Sequence, residues 1–334
     1  MCRSSSPRSR TSSTPSSGPR PEPEPTVDVL RYLVVGLGNI GQRRARLLGT
    51  RCAATVDPMA PGATVRAVDE VDPHAYDAVI VATPNPTKLD YVGRFLAEGK
   101  PVLVEKPLLF SSRDQAEALA ARARRGAVWY TSYNHRFEPA IMRLKQLLDA
   151  GAVGKLDRVR MLYGNGTVRE WLGTWRESGG GVLEDLGCHL LDLCGYLLGH
   201  ERERYALLDL RPVESSTFDY GLFASADRRV ILEVGNVFWK NTFRVEVFGS
   251  AGSLHLEGLG KWGGATLLRR MRVLPSGVPE EQREEQPAGD VTWEADLDEF
   301  ERRARAGEGS LENDWRIAEA IHSLLAQASV KSGP

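Results

Sequence analysis

The sequence predicts an α/β chain in two parts: an N-terminal doubly wound parallel sheet, then an α+β domain with an open, mostly antiparallel sheet. Three observations predict it. Short continuous apolar runs alternate with helical stretches between Arg31 and Thr131, as in parallel strands covered on both faces. The turn Gly36-Leu37-Gly38-Asn39-Ile40-Gly41 falls directly between the first such run and the first helix. After Ser132 strands dominate, joined by short turns such as Ala226-Asp227, which favours antiparallel hairpins.

In chain order, residues 31–35 read as the first strand, 40–48 as a helix and 52–56 as the second strand. Residues 78–82, 102–104 and 128–131 are further buried strands, with helices over 87–98 and 112–125. In the second part 139–150 reads as a helix, and 156–163, 205–210, 216–225, 229–237 and 243–248 as strands. Residues 244–248 alternate polar and apolar, so one face of that strand meets solvent or a partner chain. A helix over 311–328 carries Ile317, Ala320, Ile321, Leu324 and Leu325 at helical spacing and is expected to pack back on the first domain. The expected domains are 27–131 for a dinucleotide and 132–310 for substrate and oligomer contacts. Residues 1–26 are Ser, Pro and Arg ending in Pro21-Glu22-Pro23-Glu24-Pro25. Too apolar-poor to offset their ordering entropy, they are expected to form a disordered tail.

Composition excludes several classes. The 334 residues suit two domains at roughly 150 residues each. With 43 basic and 44 acidic residues the net charge is −1, unlike the basic footprint of a nucleic-acid binder. No apolar run approaches the roughly 18 residues of a spanning helix, so no membrane partner is expected. Cys2, Cys52, Cys188 and Cys194 are too scattered for a disulfide framework and lack a second ligand pair for zinc. They read as free thiols in a reducing, cytoplasmic compartment, and no metal is expected.

The glycine turn has the strand-before, helix-after context that dinucleotide binding requires. Gly36 permits the tight turn, Gly38 lets backbone amides approach a pyrophosphate, and Gly41 lets helix pack on strand. Asn39 and Ile40 open the helix, whose positive dipole end faces the anion. Asp57 ends the second strand 16 residues beyond Gly41 (57 − 41); a carboxylate there accepts ribose hydroxyls and repels a 2′-phosphate. NAD is the expected cofactor, with NADP left open by the nearby Arg66. Thr83-Pro84-Asn85 and Glu105-Lys106-Pro107 follow the strands at 78–82 and 102–104, at the carboxyl ends where ligands bind. Thr83, Pro84, Asn85, Glu105 and Lys106 are therefore cofactor-side candidates. Pro107 keeps Lys106 extended.

Gly179 to Asp192 opens a helix expected to run to about Leu198. Asp185 and His189 are four apart and Asp192 three further on; at about 100° per residue all three share one face. Leu186, Leu190, Leu193 and Leu197 form a separate apolar stripe. An ion-paired histidine on an amphipathic helix would give the same spacing, so the helix alone leaves both readings open.

Taken with Lys106, these motifs resemble the Gfo/Idh/MocA oxidoreductase family, named for glucose–fructose oxidoreductase and inositol dehydrogenase. The resemblance runs from about Arg31 to Ala328. It rests on the glycine turn, Glu105-Lys106-Pro107, the stretch Tyr133 to Pro139, Trp175-Arg176, and Gly180 to His189. One departure is Lys88, where many members carry His. The resemblance implies a Rossmann domain and an NAD-dependent oxidoreductase acting on a carbinol carbon of a sugar, cyclitol or nucleotide-sugar. It also implies a catalytic Lys106–Asp185–His189 set: His189 takes the hydroxyl proton, Asp185 orients the hydroxyl or the imidazole, and Lys106 stabilises the alkoxide. The roles of Lys106 and His189 could exchange. Arg136, Tyr163, Asn165, Trp175 and Arg176 are the implied substrate contacts, with Trp171 beside them, and a homodimer or homotetramer is expected. An NAD-retaining glycoside hydrolase and a non-catalytic cofactor-binding regulator remain as alternatives.

Overall fold

Five short apolar strands pair edge to edge in the computed structural model, which describes Met1 and residues 29–166, 168–169, 172–174, 177, 179–199 and 204–331. The expected tail at 1–26 lies outside the described residues, Met1 excepted. The strands are β1 Tyr32–Val35, β2 Cys52–Val56, β3 Ala78–Val81, β4 Val102–Glu105 and β5 Trp129–Ser132, in the order β2-β1-β3-β4-β5. Every pair is parallel. Helices α1 Asn39–Leu48, α2 Asn85–Ala97 and α3 Arg113–Ala120 make crossovers. Alternate residues take opposite faces. Leu33, Val35, Val79 and Val81 meet Val92, Phe95 and Leu96 of α2, while Tyr32, Val34, Ala78 and Ile80 meet Leu48 of α1. The strand order reverses between β1 and β3, so the ligand crevice of such a sheet opens at their carboxyl ends.

The helix that returns to cover this sheet is α6, Thr292–Ala306, which the sequence reading left out. Its Leu297 and Phe300 are buried against Tyr32 and Tyr130. The expected packing of 311–328 needs correction. Only the first turn of α7, Leu311–Lys331, rests on the first domain, through Leu311, Trp315 and Asp314. Ile317, Ala320, Ile321 and Leu324 join the second domain's core instead, because the apolar stripe turns toward that sheet.

Beyond β5 come α4 Pro139–Asp149, β6 Leu156–Gly164, α5 Cys188–Leu198, and then β7 Tyr205–Arg211, β8 Tyr220–Ser225, β9 Val230–Gly235 and β10 Thr242–Gly249. Three strands were not foreseen: β11 Gly252–Leu259, β12 Gly264–Met271 and β13 Glu280–Gln286. The sheet runs β13-β12-β11-β10-β6-β9-β8-β7, antiparallel except where β6 meets β9. β13 is polar throughout, a charged edge that discourages further pairing. The expected strand at 216–225 starts only at Tyr220, because the buried Asp219 carboxylate accepts the N–H groups of Val213, Glu214 and Ser215 and turns the chain. Helices α4, α5 and α7 cover one face of the sheet. Among the described residues no helix is long and apolar enough to cross a membrane.

Candidate active site

A cavity of about 750 Å³ opens where the carboxyl ends of β1, β3 and β4 face the second sheet, within the range of about 300–1,000 Å³ usual for small-molecule sites. The glycine turn forms one wall, and its three glycines differ. A methyl on Gly36, at φ +89°, would lie 2.6 Å from the Ala82 carbonyl oxygen, and one on Gly41 would lie 1.8 Å from that of Gly36. Both are required by the fold. A methyl on Gly38 meets no protein atom within 4 Å, and Gly38 lines the cavity with Asn39 and Ile40. Gly38 thus leaves open space ahead of the α1 N-terminus, the fit a pyrophosphate requires. Gly41 lies behind this wall.

Asp57 lies at the same wall. Its Oδ2 accepts the Leu37 N–H at 2.7 Å and its Oδ1 those of Met59 and Ala60 at 2.8 Å. Partial burial raises its pKa, but those amides and Arg66 outweigh this and hold it below the ordinary value. Three of roughly four acceptor sites are used, and the charge remains. Arg66 folds onto the carbonyls of Asp57 and Ala60.

Thr83, Pro84 and Asn85 form the opposite lip. Asn85 donates to Glu184 at 3.2 Å, and Glu184 also accepts the Gly180 N–H at 2.7 Å, so the second domain's glycine turn is clamped to the first domain. Glu105 lines the cavity while pairing with the fully buried Arg44 at 2.8 Å. Lys88, the departure noted above, donates to Asn85 Oδ1 and to the carbonyls of Lys106 and Pro107 at 2.9, 2.9 and 3.0 Å. Burial brings its ammonium down to about 7. It braces the backbone that carries Lys106.

Lys106 Nζ donates to Asp185 twice, to the backbone carbonyl at 2.7 Å and to Oδ1 at 3.1 Å. The backbone acceptor has a local cause: residues Leu183–Gly187 form a π-turn before α5, and such a turn alters the carbonyl ladder. Asp185 therefore holds the lysine rather than the imidazole. His189 is held by His135, their Nδ1 atoms 2.8 Å apart, leaving His189 Nε2 to the cavity. Tyr163 closes the floor, its ring 5.7 Å from that of His189. Burial, with His135, Lys106 and Lys261 nearby, pushes His189 well below the ordinary histidine value.

Some expected contacts are not brought in. Arg136 pairs with the buried Asp192 at 2.8 Å, and Asp192 also accepts from Asn313, so neither faces the cavity. The reason is the 3₁₀ turn Asn134–Phe137: at about three residues per turn, neighbours diverge by about 120°, and His135 takes the cavity side. Asn165 is used through its backbone, donating to Gly235 and accepting from Phe238, and stands outside the cavity wall. Trp171, Trp175 and Arg176 lie outside the described residues. The sequence reading missed His135, Lys261, Asp290 and Trp293, which line the cavity. His135 stood inside a quoted motif. Lys261 had only the weak signal of a Lys-Trp pair between glycines, far along the chain.

Comparison with known proteins gives a consistent answer. Residues 30–133 match the model of an oxidoreductase family with an NAD-binding Rossmann fold, and 141–255 match the GFO/IDH/MocA C-terminal domain. Inositol 2-dehydrogenase of Rhizobium meliloti (strain 1021) is 24% identical over 68% of this chain and 76% of its own length. The scyllo-inositol 2-dehydrogenase (NAD(+)) of Bacillus subtilis (strain 168) is 30% identical over 52% of this chain; the match spans 55% of that relative, about half its length. A 3-ketoreductase from Actinomadura kijaniata, solved with NADP and TDP-benzene, shares the fold at a TM-score of 0.73 and 21% identity, over 89% of this chain and 97% of that one.

Proposed function

Because this chain belongs to the NAD-binding Gfo/Idh/MocA oxidoreductase family, we propose that it moves hydride between nicotinamide and a carbinol carbon of a sugar, cyclitol or nucleotide-sugar, with Lys106, Asp185 and His189 as its catalytic set. One observation carries this reading: the open cradle at Gly38 and all three side chains line a single cavity. Bound NAD supplies the hydride acceptor, and the protein supplies position and field. His189 Nε2 takes the hydroxyl proton. Lys106, anchored by Asp185, holds the developing alkoxide. Tyr163 provides a flat wall for the ring. The Asp57 charge favours NAD over NADP. The inositol dehydrogenases among the relatives favour a cyclitol as the first substrate to try.

The test is a panel of inositols, aldoses and nucleotide-sugars assayed with NAD and with NADP for reduced nicotinamide. One polyol is expected to give NADH, and His189→Ala and Lys106→Met to lose about 10²–10⁴-fold in turnover. Near wild-type turnover in both variants refutes the assignment. Cleavage of a glycoside with no net NADH selects the NAD-retaining hydrolase instead.

The oligomer belongs to the same proposal. On the sheet face opposite the core, Leu162, Leu222, Ile231 and Leu268 are half-buried among charged neighbours, an area suited to a second copy. Light scattering is expected to return a dimer or tetramer. Thiols at Cys52 and Cys188 that form no disulfide fit a cytoplasmic location.

A further inference from the structure

Assigning the substrate proton to His189 raises a chemical problem, since a ring held well below the ordinary histidine value cannot keep a second proton. What lies behind it answers this. His135 Nδ1 stands 2.8 Å from His189 Nδ1, and Lys261 Nζ stands 3.1 Å from His135 Nε2. His135 is 2% exposed and His189 5%. Phe243 stacks on His135, and Tyr163 meets it edge-on. Lys261 belongs to the 3₁₀ turn Gly260–Trp262, tied to the His135 segment by the Gly260 N–H donating to Glu138.

Two Nδ1 atoms at that distance bond only when one of them carries a proton. The tautomers are therefore coupled. With Lys261 as ammonium, His135 Nε2 accepts, His135 Nδ1–H donates to His189, and the His189 proton sits on Nε2, where it blocks acceptance from substrate. With Lys261 as amine the pattern reverses: His135 donates from Nε2, His189 donates from Nδ1, and His189 Nε2 presents a lone pair.

We propose that Lys261 and His135 are positioning residues forming a proton relay, which selects the tautomer of His189 and drains the substrate proton. This rests on the reading of His189 as base. In the oxidation the substrate O–H bond breaks and its proton joins His189 Nε2. The His189 Nδ1 proton passes to His135 Nδ1, and the His135 Nε2 proton to Lys261 Nζ. Hydride carries away both C–H electrons, so the relay moves protons only, and Lys261, which lines the cavity, returns its proton to water. Burial brings Lys261 down to about 8; Glu138 and Asp290 raise it, while Lys106 and Arg43 lower it. Around the two imidazoles stand Lys106, Asp185 and the rings of Tyr133 and Tyr163.

The test needs no substrate. Ring-nitrogen NMR of the full chain with isotope-labelled histidine, recorded on both sides of about pH 8, is expected to show the protons of His135 and His189 change nitrogens together. Lys261→Arg keeps the cation and the donor but cannot lose its proton, so the low-pH pattern persists throughout. Lys261→Met abolishes the joint switch. On a polyol that the enzyme oxidises, Lys261→Arg is expected to lose most of the about 10²–10⁴-fold due to proton transfer, with NAD affinity unchanged. Tautomers that stay fixed in the wild type, or switch normally in Lys261→Arg, overturn the relay. Should the switch occur while His189→Ala retains turnover, the base assignment fails and the coupled tautomers stand.

Discussion

Gly38→Ala separates cofactor binding from folding. Gly38 caps α1 at φ −68° and ψ −170°, ordinary extended backbone for any residue, and its added methyl touches no protein atom within 4 Å. Loss of unfolded-state entropy favours alanine by about 0.4–1 kcal/mol, and the poorer cap costs a similar amount. Stability should therefore stay within about 0.5 kcal/mol of wild type. The methyl points into the cradle, where overpacking costs about 1–3 kcal/mol. At about 1.4 kcal/mol per tenfold, NAD binding weakens about 5- to 140-fold. Gly41→Ala is the contrast, because its methyl lies 1.8 Å from a backbone carbonyl and strand and helix must separate. Calorimetric titration with NAD, paired with thermal unfolding, measures both effects. If Gly38→Ala binds NAD like wild type at an unchanged Tm, the pyrophosphate does not sit where the cradle implies.

Two further predictions follow from buried charges. Arg136→Leu strands the Asp192 carboxylate, which is 1% exposed, and should cost about 3–5 kcal/mol in urea unfolding; a raised KM with an unchanged midpoint would instead restore Arg136 as a substrate contact. Burial raises Asp314 from 3.8 to about 7, against its donors Thr131 and Trp129. Between those values the folded chain holds a proton that the unfolded chain releases, so stability falls as pH rises, by at most about 1.4 kcal/mol per unit. Asp314→Asn should flatten that part of the slope in urea midpoints measured across the window, and an unaltered slope contradicts it.

Local order and spacing carried much of the fold and part of the site. The strand–glycine–helix run specified the cradle, because the steric needs of Gly36, Gly38 and Gly41 are met within one turn and its neighbouring strands. Lys106 was legible because the carboxyl end of a parallel strand is a fixed address in such a sheet. Spacing alone made legible only that Asp185 and His189 share a helix face, and not their partners: the π-turn exposes the Asp185 carbonyl to Lys106, and His135 arrives from another segment. Tertiary structure alone decided that Arg136 turns inward to Asp192 while His135 turns to the cavity. It also decided that Lys261, 126 residues further along, closes the line behind His189. Periodicity encodes which face a residue takes on its own element. Which side chain of a distant element meets it depends on how the two sheets and their helices pack, and no local pattern records that.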